Sequence, residues 1–427
     1  MEIDPKLVRE YYNRKDIQNE LLKISKNREV QIWINQIRGK RPEVINYTGD
    51  INSLVRDGMT SLHVSVERWK DPLQLKSGMT KKELDELRLG FDLLLDIDSK
   101  CLDYSKLTAD LLVEALKFHE VKDISIKYSG NAGFHIAVPF EAFPETIRGD
   151  NVRLLFPDLV RVIASYLKEM IKPFLTEKLL KFSLEELANN VHKTQNELLT
   201  DGKFDPFNVV DIDTILISSR HMFRSVYSLN EKRGLVSIPI KDIKSFKIED
   251  AEIKNVKTDI KFLDYENVTP ESAKNLLLQA YDWNMKKEVV KPEYKTISTF
   301  PEKEITEEYF PPCITSLMAG LKQDGRKRSI FILMNFLINM GWSIEKIEAF
   351  LNEWNKKNYE PLKEGYIKAQ VLWYKRQNTK ILPANCDNQS YYKSIGICNP
   401  DGLCGKIKNP VNYAVRKVNI KKFNSKK

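Results

Sequence analysis

Phe91-Asp92-Leu93-Leu94-Leu95-Asp96-Ile97-Asp98 is a run in which charge and apolar bulk are sorted by parity. Alternate residues of a strand point to opposite faces, so Phe91, Leu93, Leu95 and Ile97 would meet a core while Asp96 and Asp98 share the other face. Two carboxylates so close repel each other, and a divalent cation between them turns that cost into a binding site. Oxygen ligands of this kind suit Mg²⁺ or Mn²⁺, with substrate phosphates completing the shell. Two solvated charges at a strand end remain the plain alternative.

Downstream, Asp123–Tyr128 and Phe134–Pro139 form a second pair of strand candidates around the turn Ser129-Gly130-Asn131-Ala132-Gly133. Two glycines there would leave backbone amides free to cradle phosphate oxygens. His135 enters the next strand on the side away from Phe134, Ile136 and Val138, where it would meet a ligand. A second acidic pair, Asp211 and Asp213, lies on the strand candidate Phe207–Ile217. It is followed by Ser219-Arg220-His221-Met222-Phe223-Arg224 and Tyr227-Ser228-Leu229-Asn230-Glu231-Lys232. Carboxylates followed by cations are what a two-metal phosphoryl-transfer site requires.

Farther from this centre, the first 90 residues alternate helical patterns with polar turns. Asn151 to about Thr200 repeats Leu at helical spacing, and strand patterns return at Gly234–Ile240. A helix over about Pro270–Lys287 precedes a Pro-, Lys- and Glu-rich linker. After Pro311-Pro312 the chain reads as helical through Trp373 and then as loop with three cysteines, ending in a basic, disordered tail from Lys421. A chain of 427 residues exceeds one comfortable core, so two or three domains are expected. Ile330–Trp342, the longest apolar stretch, is too short to span a bilayer and reads as a core helix. The opening Met-Glu-Ile-Asp-Pro has no basic region followed by an apolar segment. An intracellular location is therefore expected, cytoplasmic or nuclear, with no membrane association; cysteines there serve metal or catalysis more often than disulfides.

Charge divides the chain. Residues 309–427 hold 21 Lys and Arg against 8 Asp and Glu, while the remainder holds 47 against 51. The C-terminal part therefore suits a polyanion, with a solubilising lysine surface as the bland alternative. Cys313, Cys386, Cys398 and Cys404 all lie in that basic part. Four thiolates meet the need of either a tetrahedral zinc or an iron–sulfur cluster, and the absence of any Cys-x-x-Cys leaves both open. Cys101 reads as a packed apolar residue.

Asp-Ile-Asp, then Ser-Gly-x-x-Gly-x-His, then an Asp before Arg-x-x-Tyr-Ser-Leu, taken in order over residues 60–245, resembles the catalytic small subunit of archaeo-eukaryotic primases. The resemblance implies that Asp96, Asp98 and Asp213, with Asp211 in reserve, bind Mg²⁺ or Mn²⁺. It also implies that Ser129, Gly130, Gly133, His135 and Arg224 receive the incoming nucleotide. The chain departs from that pattern at Asn131 and Ala132, where relatives carry basic residues, and at Asn230, where they carry histidine; Lys232 or Arg233 is the nearby source of replacement charge. No zinc knuckle is evident.

Pro311-Pro312-Cys313-Ile314, Gly325-Arg326-Lys327-Arg328, Gly341-Trp342-Ser343, the three later cysteines and Asn409-Pro410-Val411-Asn412-Tyr413 are similar to the C-terminal domain of the primase large subunit. That resemblance implies a four-iron, four-sulfur (4Fe-4S) cluster on the four cysteines. Arg326, Lys327 and Arg328 would then meet template or initiating-nucleotide phosphates, with Tyr391, Tyr392 and Tyr413 stacking on bases or shielding the cluster.

The expected architecture is α+β. A mixed-sheet catalytic domain over residues 1–288, with a helical insertion at about 150–203, leads through a linker at 289–308 to a mainly helical iron–sulfur domain over 309–427. Single-stranded DNA template, nucleoside triphosphates and replisome proteins are the implied partners, and a monomer and a dimer both remain open.

Overall fold

The strand expected from Phe91 to Asp98 is broken at Asp92 into Arg88–Phe91 and Leu93–Ser99 in the computed structural model of the chain. Asp92 is 2% exposed, and a buried carboxylate persists only when fully partnered. Arg28 and Tyr265 donate to its Oδ2, and the Phe140 amide donates to Oδ1 at 3.0 Å. Arg88–Phe91 pairs with Glu67–Trp69, whereas Leu93–Ser99 enters the central sheet. Phe91 accordingly packs on Phe140 and Phe156, at 5.1 Å from each ring, instead of beside Leu93.

The structure describes residues 4–35, 37–200, 202–213, 218–289, 304–322, 325–375, 381–388 and 391–424. Two units divide the chain, Met1–Val290 and Lys291–Lys427. In the first, the strands of the two main sheets are β1 (Val30–Ile34), β2 (Ile37–Arg38), β3 (Met59–Ser65), β4 (Leu93–Ser99), β5 (Ser125–Tyr128), β6 (Gly133–Val138), β7 (Val210–Ile212), β8 (Met222–Arg224) and β9 (Pro239–Ile240). One sheet has the order β7-β4-β6-β5-β9 and the other β8-β3-β1-β2. The helices are α1 (Pro5–Tyr12), α2 (Lys15–Ser25), α3 (Thr48–Arg56), α4 (Lys81–Leu87), α5 (Leu102–Phe118), α6 (Asp158–Leu179), α7 (Leu184–Val191) and α8 (Lys274–Val289).

A mixed sheet is not what forms: every strand pairing among the described residues is antiparallel. The α5 crossover does set β5 parallel to β4, but the glycine turn folds β6 back between them, so each hydrogen-bonded neighbour runs the opposite way. Leu93, Leu95 and Ile97 of β4 and Phe134, Ile136 and Val138 of β6 are fully buried, on the face where α5 packs. The α6 helix lays Leu159, Ile163, Leu167, Ile171 and Leu175 into the same core. Three strands of the second sheet fall within the first 90 residues, where helices and turns were expected.

The strand expected over Phe207–Ile217 is realised as β7, and 214–217 lie outside the described residues. Gly234–Ile240 is two short strands: Leu235–Val236, in a hairpin with Leu229–Asn230, and β9, on the edge of the central sheet. Most of the linker expected at 289–308 lies outside the described residues. Its last part belongs to the second unit, where Ile305 is buried and donates its amide to Met340 O at 2.9 Å.

The second unit is built from α9 (Pro312–Met318), α10 (Arg326–Asn339), α11 (Ile344–Lys356), α12 (Glu364–Lys375) and α13 (Pro410–Asn424). The α10 helix is buried almost all round, as its near-continuous apolar sequence requires. Asn339, fully buried on it, donates to Asn335 O at 2.6 Å and Ile381 O at 2.8 Å. The α13 helix replaces the expected C-terminal loop. Asn409 caps it, accepting from the Val411 and Asn412 amides at 3.0 and 3.3 Å, and Pro410 occupies the first helical position. Among the described residues no helix is long and apolar enough to cross a membrane.

Candidate active site and cysteine cluster

Antiparallel register decides which carboxylates share a face. Asp211 of β7 lies directly across from Asp98 of β4, and Ile212 from Ile97. The Asp213 amide donates to Asp96 O at 3.0 Å, which continues the register by one step. Directly opposed residues share a face, so Asp96, Asp98, Asp211 and Asp213 project from the same side of two adjacent strands. Burial, followed by the charges of Asp96, Asp211 and Asp213, pushes Asp98 up to about 6, although its tip reaches solvent. Asp211 projects outward with Lys168 Nζ 3.9 Å away, while Asp213 sits nearer Asp96.

On the other side of β4 the same row continues through His135 of β6 to Lys127 of β5. His135 is 5% exposed and its Nε2 lies 3.2 Å from Asp96 Oδ1. Burial alone would raise Asp96, but His135, Lys127 and His221 outweigh it and hold the carboxyl below its usual range. Lys127 is fully buried, donates to Ser237 Oγ at 2.7 Å and lies 5.7 Å from the Phe223 and Phe262 rings. That burial pushes its ammonium well below the ordinary lysine value.

The second sheet contributes His63, in register with Arg224. Burial, and then the charges of Arg224 and Lys127, lowers His63 to about 3. Nδ1 of His63 and Nδ1 of His135 are both buried without a hydrogen-bond partner among the described residues. Neither His63 nor Lys127 stands out in the sequence, because their neighbourhood is set by strand register. The parity that puts Lys127 in phase with Ser129 was the available signal.

A histidine held neutral in the fold but protonated in the unfolded chain destabilises as pH falls. The unfolded state then binds more protons, so stability drops from about pH 6.5 towards 3. His63→Gln is expected to remove about 1–2 kcal/mol of the stability difference between pH 7 and pH 5. Denaturant unfolding of both proteins at the two pH values measures this, and equal pH dependence in the two would refute it.

In the glycine turn, Gly130 has φ +88° and packs against Asn230 and Ser237, a conformation and a spacing that favour glycine. Gly133 faces Asp98 across the sheet, and a Cβ there would run into Ile97 O and Asp98 Oδ1. Gly133→Ala is therefore expected to force β6 away from β4, at a cost of about 2–3 kcal/mol, and to displace Asp98. A fall of several degrees in melting temperature checks it; an unchanged melt would show that the strands close up without strain. Ser129 is buried, and its hydroxyl accepts from the Asn131 amide at 3.4 Å. Arg224 Nη1 donates to Leu229 O at 2.5 Å and Glu231 Oε2 at 3.1 Å, so it holds the hairpin beside the turn.

In the second unit the four cysteines come from different segments. Cys313 is the second residue of α9, Cys386 donates its amide to Lys408 O at 2.9 Å, Cys398 is exposed in a loop, and the Cys404 amide donates to Asp401. Burial and then the other three thiols push Cys313 up, and burial with Cys404 and Cys398 pushes Cys386 up to about 12. Four thiols gathered in one unit are a donor set that ionises together only around a cation. Among the described residues, no group of three or more His, Cys, Asp or Glu side chains is drawn close enough to hold one ion. The donor chemistry thus fits a thiolate-ligated centre, at a spacing looser than ligation. Tyr392 and Tyr413 are buried, their hydroxyls donating to Ala384 O at 2.8 Å and Asp401 Oδ2 at 2.5 Å, while Tyr391 packs on Phe331.

Arg326, Lys327 and Arg328 form the first turn of α10, where the helix dipole already favours anions. Their side chains diverge: Arg326 binds Glu360 and stacks 4.6 Å from the Tyr359 ring, Lys327 lies 5.5 Å from the Tyr366 ring, and Arg328 donates to Ser394 Oγ at 2.7 Å.

The family model among the comparisons with known proteins falls within this second unit. Residues 303–424 match the family described as the C-terminal domain of the large subunit of eukaryotic and archaeal DNA primase. The DNA primase large subunit PriL of Methanococcoides burtonii is 26% identical over 200 residues, covering 43% of this chain and 53% of that protein. The PriL of Methanopyrus kandleri is 31% identical over 107 residues, 24% of each. The chain thus spans about half, or less, of the curated relatives it matches. The polymerase domain of Mycobacterium tuberculosis ligase D in complex with DNA aligns with 67% of this chain and 93% of its own at a TM-score of 0.36 and 14% identity, a likeness that carries no argument. What the comparisons establish is that this chain, through residues 303–424, is similar to the C-terminal domain of the archaeal and eukaryotic primase large subunit.

Proposed function

We propose that the chain is a DNA primase that joins nucleotides on single-stranded DNA in its first unit and holds template and initiating nucleotide with its second. The observation that carries this reading is the row of four carboxylates, Asp96, Asp98, Asp211 and Asp213, flanked by His135 and backed by Lys127, in a chain with a primase-related second unit. Asp96, Asp98 and Asp213 would hold Mg²⁺ or Mn²⁺, with Asp211 at the outer edge beside Lys168. When bound, two such ions supply the charge that activates a 3′-hydroxyl and offsets a leaving pyrophosphate. Ser129, the amides of Gly130 and Gly133, His135 and Arg224 would receive the triphosphate.

Cys313, Cys386, Cys398 and Cys404 would hold a 4Fe-4S cluster that fastens the loops between α12 and α13 to α9. Arg326, Lys327 and Arg328 would meet nucleic-acid or nucleotide phosphates, an interaction without base preference. Forming the first bond requires two nucleotides to be ordered together, and a second binding unit lowers that entropic cost.

The named relatives favour a second reading, in which the chain is a primase large subunit that acts beside a separate catalytic protein. The purified chain, given single-stranded DNA, labelled nucleotides and Mn²⁺ but no oligonucleotide primer, separates the two. Primer-free products support catalysis by this chain. Their absence, with activity only on adding a separate catalytic protein, supports the other reading.

A further inference from the structure

The glycine turn Ser129–Gly133 contains no cation, yet one is brought to it from another part of the chain. Arg233 Nε donates to Asn131 Oδ1 at 3.0 Å. Both ends of this contact are fixed. Tyr128 OH donates to Asn131 O at 2.5 Å, and the Asn131 amide donates to Ser129 Oγ at 3.4 Å. The end of the 229–236 hairpin is closed by the Arg233 and Gly234 amides on Asn230 O, at 3.2 and 2.9 Å, and by the Lys232 amide on Asn230 Oδ1 at 3.1 Å. Arg224 ties the base of that hairpin through Leu229 O and Glu231. Gly130, without a side chain, lets Asn230 and Ser237 pack directly against the turn.

We infer that Arg233 is a binding residue for the nucleotide's phosphates, presented to the glycine turn from the neighbouring hairpin and aimed by Asn131. This rests on the primase reading and adds to it a residue outside the turn. The guanidinium has five donors, and Asn131 occupies only Nε here, so the exposed fork remains for phosphate oxygens. His135 follows the turn on β6 and lies directly across from Asp96 of β4, so a phosphate held at the turn lies towards the carboxylate row. Arg224, by this geometry, acts partly through Arg233, by holding the hairpin that carries it.

Binding of ATP and of dATP with Mn²⁺ is measured by calorimetry on the full chain, alongside KM and kcat for extension of a supplied primer. Arg233→Ala is expected to weaken nucleotide binding about tenfold, raising KM with kcat little changed. Arg233→Lys should keep affinity within about threefold and Arg233→Glu should fall below the alanine variant, an order that a merely structural role would not produce. Affinity within twofold of wild type for both Arg233→Ala and Arg233→Glu overturns the inference. If that happens while wild type binds nucleotide and Asp96→Ala stops synthesis, the primase reading stands without it. If wild type binds neither nucleotide, the primase reading itself fails.

Discussion

Asp96→Ala is expected to abolish metal-dependent nucleotide incorporation while the protein stays folded. Asp96 is the carboxylate on which the rest of the site converges: His135 Nε2 lies 3.2 Å from Oδ1, the Asp213 amide binds its carbonyl, and Asp98 is two residues along the same face. Losing one ligand of a two-ion centre removes about 4 kcal/mol of transition-state stabilisation, roughly 10³-fold in rate. The fold should tolerate the change, because Asp96 is only half-buried and its backbone bonds are retained. Removing the carboxylate relieves part of the repulsion on Asp98 but leaves buried His135 and Lys127 without their counter-charge, so the melting temperature should fall by a few degrees with the fold retained. Incorporation into a supplied primer with Mn²⁺, read with the thermal melt, gives the result. Full activity in a folded Asp96→Ala protein would remove the carboxylate row from the mechanism.

That row was legible because parity is local: two residues along a strand share a face whatever the fold, so Asp96 with Asp98, and Asp211 with Asp213, could be paired by reading alone. Joining the two pairs needed the register of β7 on β4, which the sequence does not state. His63 and Lys127 were missed for the same reason, since one reaches the site from a different sheet and the other through a third strand. In the first 90 residues the strand Val30-Gln31-Ile32-Trp33-Ile34 has a single polar residue, Gln31, and is largely buried on both faces, so no polar–apolar alternation marks it. At α13 the signal was present and local, in Asn409-Pro410, a side-chain cap followed by the residue best suited to the first helical position. The break at Asp92 had no local signal, because its partners Arg28 and Tyr265 are distant in sequence.

On the reading proposed above, Cys386→Ser is expected to abolish metal binding by the second unit and, with it, primer-free initiation, while extension of a supplied primer continues. The segment around Cys386 has few regular elements to hold it. Between α12 and α13 the described chain is turns and one short 3-10 helix, tied to the helical core by Ala384, Tyr391, Tyr392, Ile395, Ile397 and loop hydrogen bonds. A centre bonded to Cys313 on α9 and to Cys386, Cys398 and Cys404 in the loops would close these long connections at once, and binding energy of that kind is folding energy. The helical core of Ile314, Leu333, Leu337 and Trp354 does not depend on it, so α-helical circular dichroism should be largely kept while the loops loosen. Anaerobically purified wild type should carry about four iron atoms per chain with broad visible absorption, and the variant almost none. Primer-free synthesis should fall more than tenfold, because the initiating nucleotide and template lose their second platform, whereas primer extension depends on the carboxylate row in the other unit and should change less than about threefold. Stoichiometric zinc in the wild type would replace the iron–sulfur assignment with a zinc site. Equal loss of both activities would mean that the second unit serves synthesis as a whole and not its first bond.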